Sequence, residues 1–72
     1  MAYDYSKLIG TIVEKFSTQF KFAEAMGLSE RSISLKLNNK RPWTQKEISK
    51  ASELLDIDPE KINEYFFNYK VQ

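Results

Sequence analysis

The apolar residues of this chain recur at helical spacing. In the first segment they follow the i, i+3, i+4 pattern of an amphipathic helix, at Leu8, Ile9, Ile12, Val13 and Phe16. Asp4 is a suitable N-cap for this helix, and Gly10 falls on its opposite, polar face. Because no segment alternates with period two, the pattern predicts an all-α fold.

Short polar residues mark the next two predicted helices. Thr18 can cap a second helix over residues 19–26, and Gly27 can end it as a C′ residue with positive φ. Ser29 can then cap a third helix that runs to about Leu37. A turn of only a few residues therefore separates the two helices.

A loop and a fourth helix follow. The segment "NNKRP" at residues 38–42 predicts a loop, because Asn tolerates left-handed geometry and Pro42 disfavours helix in the residue before it. Thr44 and Glu47 have the spacing of a capping box. The helix that they open has its apolar positions at Ile48, Ala51, Leu54 and Leu55.

The segment "DIDPE" predicts the start of a fifth helix, with Asp58 as N-cap and Pro59 in the first helical position. One face of this helix is predicted to be buried, with Ile62, Tyr65, Phe66 and Tyr69. Phe67 lies about 140° from Ile62 on a helical wheel and falls off that face. Residues 1–72 are accordingly predicted to form a single five-helix domain.

The composition argues against an enzymatic or metal-binding function for such a domain. The chain contains no His and no Cys, so it lacks the commonest general base, the commonest metal ligands and any disulfide. It has no P-loop, HExxH or GxSxG pattern. We expect a protein that is not an enzyme and takes no cofactor, metal or small-molecule substrate. No apolar run approaches the roughly 20 residues of a membrane span, and the first residues do not resemble a signal peptide. A cytoplasmic location without membrane contact is expected.

Charge is unevenly distributed, although the net charge is only +1. Residues 15–50 carry eight Lys or Arg against three Glu, whereas residues 51–72 carry two Lys against five Asp or Glu. A basic middle and an acidic end suit a polyanionic partner on one side of the domain. Chance clustering of surface charges is the alternative.

The second and third predicted helices have the spacing of a helix-turn-helix. Ala23 falls where the two helices would cross and only a small side chain fits, and Gly27 follows at the turn. Leu28 would fill the corner, and Ile33 and Leu37 would anchor the third helix in the core. The combination of Ala-x-x-x-Gly-Leu-Ser with a core Ile six residues after the Gly is fairly specific.

On this motif, "QFKFAEAMGLSERSISLKL", the chain resembles the lambda-repressor-like superfamily over nearly its whole length. The stretch "FAEAMGLSERSISLKLNNKRPWTQKEI" and the terminal "INEYFF" are similar to small Cro-type regulators of temperate phages of Gram-positive bacteria. Within this group, the chain is similar to the modulator-of-repression, or antirepressor, type of lactococcal phages. The resemblance implies a five-helix domain with a central helix-turn-helix.

The resemblance also implies a transcriptional regulator of the lysis–lysogeny switch, with the phage repressor and operator DNA as partners. Two modes of action stay open. The protein is either an antirepressor that engages the repressor and binds DNA weakly, or a conventional Cro-type repressor that binds its operator as a dimer.

The residues expected to meet a partner lie on the third predicted helix and beside it. The N-terminal half of a recognition helix enters the DNA major groove; the candidates for base or partner contacts here are Ser29, Glu30, Arg31, Ser32, Ser34, Leu35 and Asn38. The candidates for phosphate or rim contacts are Gln19, Lys21, Lys36, Lys40 and Arg41. For Lys36 a solvated surface position is the default interpretation, to which phosphate attraction could be added.

Leu35 separates the two modes of action. On a helical wheel it lies about 180° from the midpoint of Ile33 and Leu37, in the middle of the outward face. Leucine offers DNA little beyond contact with a thymine methyl group. An exposed apolar anchor beside Arg31 and a polar rim is typical of a protein–protein hot spot. We favour a protein partner for this helix, with DNA readout as the alternative. Trp43 is predicted either to cap the core or to cover the basic loop.

Overall fold

The computed structural model describes residues 2–70 and folds them into five α-helices. These are α1 Ser6–Phe16, α2 Gln19–Met26, α3 Glu30–Leu37, α4 Gln45–Leu54 and α5 Ile62–Phe66, the last preceded by a 3-10 turn over Pro59–Lys61. α2 packs against α1, α3 and α4, and α5 packs against α1. Within residues 2–70 the one β-type pairing is an antiparallel bridge between Tyr3 and Tyr69. The predicted all-α, five-helix fold is confirmed.

The ends of α2 and α3 are set by the predicted capping residues. The Thr18 side chain accepts a hydrogen bond from the Lys21 N–H (3.1 Å), and the Ser29 hydroxyl accepts one from the Ser32 N–H (3.1 Å). Gly27 ends α2 with φ +74°, a conformation that costs glycine little. The turn that orients α3 against α2 is therefore encoded locally.

The core lies where these helices meet. Its fully buried large side chains are Leu8, Ile12, Phe22, Ile33, Leu55 and Phe66. Ala23 is 1% exposed and leaves room for the close approach of α2 and α3, while Leu28 packs against the core at the corner. Leu37 is also buried, so the side of α3 that was predicted to face inward does so.

Two predictions about α1 are wrong. The helix begins at Ser6 after Tyr5 as N-cap, one residue later than a cap at Asp4 requires. The Asp4 carboxylate still accepts bonds from the Ser6 hydroxyl (2.6 Å) and N–H (2.9 Å), and these bonds lower the pKa of Asp4. Val13 is 51% exposed, because the apolar stripe of α1 spans about 140°: the other helices cover the edge that carries Leu8 and Ile12, and Val13 lies at the opposite edge.

The fifth helix is shorter than predicted. Asp58 accepts a hydrogen bond from the Glu60 N–H (2.9 Å) and Pro59 follows it, which confirms the start signal. The first three residues form a 3-10 turn, and the α-helical part ends at Phe66.

Tyr69 therefore lies beyond the helix and does not share its buried face. It is 54% exposed and stacks on Tyr3 with ring centroids 5.0 Å apart. The Lys70 N–H bonds to the Ala2 carbonyl at 3.1 Å, so backbone pairing with the N-terminal segment replaces the predicted helical turn.

Lys36, predicted as a phosphate or rim contact or a solvated surface residue, is buried at 6% exposure. Its ammonium lies 2.8 Å from a Glu47 carboxylate oxygen and donates to the Pro42 carbonyl at 3.1 Å. Glu47 also completes the predicted capping box with Thr44. The ion pair thus joins the end of α3 to the start of α4. The Lys36 charge is tolerated at this buried position because it has these two partners.

Trp43 packs beside the ion pair of Lys36 and Glu47. Its ring meets Phe66 edge-on at 5.3 Å between centroids, and the Lys36 ammonium lies 5.9 Å from its ring. Of the two predicted roles for Trp43, packing against the core is the observed one.

The ion pair with Lys36 affects the pKa of the Glu47 carboxyl group. Burial alone would raise the pKa of Glu47, but the hydrogen bonds from Lys36 and Thr44 outweigh burial and lower this pKa below its ordinary value. The carboxylate is therefore ionised in the folded protein at neutral pH.

Truncation of the core side of α3 should destabilise the fold far more than truncation of its outer side. Ile33→Ala should lower the free energy of unfolding by about 2–5 kcal/mol, whereas Arg31→Ala should change it by less than about 0.5 kcal/mol. Urea denaturation of both variants measures the difference. Equal destabilisation by the two substitutions would contradict this orientation of α3.

Glu47→Gln should remove a pH-dependent part of the stability. A lowered folded-state pKa stabilises the protein above the ordinary glutamate pKa, and this contribution is lost as the pH falls through the lowered pKa. The wild type should exceed the variant by about 1–3 kcal/mol near pH 7, and the difference should shrink below about pH 4.

Glu64→Gln is the matched control, because Glu64 pairs with Lys7 at 3.0 Å on the exposed surface. It should change the stability little across the same pH range. If the Glu47→Gln protein were as stable as the wild type at pH 7, the Lys36–Glu47 pair would contribute nothing to the free energy of unfolding.

Candidate partner-binding surface

The outward side of α3 and the loop behind it form one continuous surface. We call it the α3 face; its residues are Ser29, Glu30, Arg31, Ser32, Ser34, Leu35, Asn38, Lys40 and Arg41. Glu30, Arg31 and Asn38 are exposed, as are both basic loop residues, whereas Ser32 and Ser34 are half-buried. The structure therefore brings together nine of the twelve residues that the sequence singled out.

Small polar side chains on this surface are already bonded to one another. The Ser29 hydroxyl donates to that of Ser32 at 3.1 Å. The Asn38 amide donates to the Ser34 carbonyl at 2.7 Å and to its hydroxyl at 3.4 Å. These bonds hold the polar rim in fixed positions, which lowers the conformational entropy that a partner must remove on binding.

Leu35 occupies the middle of the α3 face. It is half-buried and not among the residues packed against the core, so it is less exposed than the helical wheel alone predicts. Its carbonyl accepts hydrogen bonds from the Lys40 N–H (2.8 Å) and the Arg41 N–H (3.3 Å). The loop consequently folds back against the end of α3.

The basic loop adds cationic groups to the same surface. Asn39 has φ +61°, a left-handed conformation that asparagine adopts more readily than most residues, and this turns the chain back toward α3. The Arg41 guanidinium then reaches the Ser32 hydroxyl at 3.4 Å. The backbone of Lys40 and the side chain of Arg41 are thus held beside α3.

The other predicted rim residues lie at the start of α2 or off the surface. Gln19 is half-buried and Lys21 is exposed, both in the first turn of α2. Lys36 is not part of the α3 face, since its charge is buried against Glu47. Of the five predicted cationic contact residues, Lys21, Arg31, Lys40 and Arg41 are therefore exposed.

One exposed apolar residue near this surface was not predicted. Phe20, between Gln19 and Lys21 in the first turn of α2, is 52% exposed. A helical wheel of α2 centred on Phe22, Ala23 and Met26 places Phe20 more than 100° from the buried direction. The helical periodicity of the sequence therefore already indicates that Phe20 is exposed. Phe20 is a further residue able to contact a partner.

The α3 face has the chemical groups needed for non-covalent binding of a partner. It offers an apolar centre, the cations Arg31, Lys40 and Arg41, and small hydroxyl and amide groups that are already hydrogen-bonded to one another. Within residues 2–70, no group of three or more His, Cys, Asp or Glu is placed to hold a metal ion. The helices formed by these residues include none long and apolar enough to cross a membrane.

Comparison with known proteins identifies the family. Residues 1–69 match the family described as "Protein of unknown function (DUF739)", and the chain belongs to this family. A search of curated proteins finds no match. Among solved structures, the chain is similar to the modulator of repression of the temperate bacteriophage TP901-1 from Lactococcus lactis, determined in solution. The two are 57% identical with a TM-score of 0.83, over 100% of this chain and 97% of that one.

Proposed function

We propose that this member of the DUF739 family is a phage modulator of repression that binds the phage repressor through its α3 face. Its own binding to operator DNA is weak, and it acts in the host cytoplasm. The observation that carries the proposal is the 57% identity, over the full length of the chain, with a protein described as a modulator of repression. Identity at that level over a whole small domain supports a shared role in the switch.

The centre of the α3 face supports a protein partner. Leu35 is a half-buried leucine with Arg31 one helical turn before it and a rim of hydroxyl and amide groups around it. A central apolar residue, a nearby arginine and a polar rim are typical of an energetically dominant protein contact. Major-groove readout would favour a hydrogen-bonding side chain at the position of Leu35.

The charge of the surface supports weak DNA binding. Burial of Lys36 against Glu47 leaves four exposed cations among the predicted contact residues, and Glu30 in the first turn of α3 repels phosphate. Each cation that neutralises a phosphate contributes about 0.9 to the slope of log affinity against log salt. The surface therefore lacks the cation count of a strong non-specific binder.

A Cro-type repressor that binds its operator as a dimer is the second candidate. It is favoured by the adjacent Lys40 and Arg41, which lie behind the recognition helix where phosphate contacts are expected. The two candidates predict opposite effects of one substitution.

Leu35→Lys should abolish or severely weaken repressor binding and leave DNA affinity unchanged or higher. Loss of the apolar anchor should cost about 2 kcal/mol or more, roughly thirtyfold in affinity, and a lysine buried in the interface without a partner should cost more. Isothermal titration with the repressor and an electrophoretic shift with operator DNA measure the two effects.

Val13→Lys is the matched control, because it adds the same charge in place of an exposed aliphatic residue on α1, away from the α3 face. It should leave repressor binding unchanged. Intact repressor binding by a folded Leu35→Lys protein would overturn the proposed role of the α3 face.

Operator affinity of the chain alone should depend shallowly on salt. With phosphate contacts from the four exposed cations among the predicted contact residues, the slope of log affinity against log salt should not exceed about 4. Fluorescence anisotropy of labelled operator DNA over a salt series gives this slope. Nanomolar, sequence-specific binding at physiological salt without the repressor would favour the Cro-type alternative.

A further inference from the structure

The backbone around Arg41 is fixed from both sides. On its N-terminal side, the Arg41 and Lys40 N–H groups bond to the Leu35 carbonyl, and the Asn39 side chain makes two bonds of 2.9 and 3.0 Å to the backbone of Tyr3. On its C-terminal side, the neighbouring Pro42 carbonyl accepts a bond from the Lys36 ammonium at 3.1 Å. The Lys36 side chain thus restrains the C-terminal end of the loop, as the Asn39 side chain restrains its N-terminal part.

We propose that Lys36 is a positioning residue. By bonding the Pro42 carbonyl, it holds the Arg41 guanidinium beside Ser32, 3.4 Å from its hydroxyl, in the orientation in which the α3 face meets its partner. The part that concerns the partner rests on the proposed function. The restraint on Arg41 does not, because it is a property of the chain alone.

The chemistry of the site fits this role. An ammonium group has three donors on one nitrogen, and here it meets both a carbonyl and a carboxylate while its stem lies inside the domain. An apolar residue at this position would pack against Trp43 but would leave the Pro42 carbonyl without its donor. A residue needed only to fill space would not need a charge that is 6% exposed.

Two variants separate positioning from stability. Lys36→Met keeps the length of the stem and removes both bonds, but it leaves Glu47 buried without its cation, which destabilises proteins. The double variant Lys36→Met with Glu47→Gln also removes the uncompensated charge. Lys15→Met is the matched control, because Lys15 loses the same charge from an exposed pair with Asp56 at 3.5 Å.

Amide hydrogen exchange measured by NMR on the free protein tests the restraint. The Arg41 amide should exchange about tenfold faster or more in both Lys36 variants than in the wild type. The Leu55 amide, bonded to the Ala51 carbonyl at 2.9 Å at the end of α4, should be unchanged in the double variant and so report that the domain stays folded. Lys15→Met should affect neither amide. Wild-type Arg41 exchange in a folded double variant would overturn the inference.

Repressor affinity tests separately the positioning role of Lys36 and the role of the α3 face in binding the repressor. If both hold, the double variant should bind the repressor about fivefold more weakly or worse, and Lys15→Met should bind as the wild type does. Faster Arg41 exchange with unchanged repressor affinity would uphold the positioning role and contradict the assignment of the α3 face as the binding surface.

Discussion

The anchoring of α3 in the core is the constraint on which the rest of the surface depends. Ile33 is fully buried and Leu37 nearly so, and α3 crosses α2 closely because Ala23 leaves room for it. With that side fixed, helical geometry alone turns Arg31 and Leu35 outward. A small domain has little core to spare, so loss of this contact would remove the binding surface together with the fold.

Much of the fold could be predicted because its signals are local. The capping residues of α2, α3 and α4 satisfy backbone donors within three residues, and Gly27 has the conformation that its type favours. Predictions failed where distant segments decide the outcome. Tyr69 pairs with Tyr3 across the whole chain, and Val13 is exposed because the other helices cover only part of the α1 stripe.

The candidate surface shows the same division. Periodicity placed α3 and its outward residues correctly, yet it could not show that Lys36 is buried, since that depends on Glu47 eleven residues later and on the path of the loop between them. The result changes the electrostatics: one of the cations in the basic middle segment is neutralised internally. What remains is a moderately basic face with a leucine at its centre, and on this we base the proposal that it recognises a protein and not primarily a polyanion.

The central claim is that the α3 face binds the phage repressor in preference to DNA. The most direct test is a titration of the purified protein with the repressor alone, with operator DNA alone, and with the repressor already bound to its operator. The account predicts a stable complex with the repressor and weak, salt-sensitive binding to the operator alone. Tight operator binding by the protein alone, together with no measurable complex with the repressor, would contradict it.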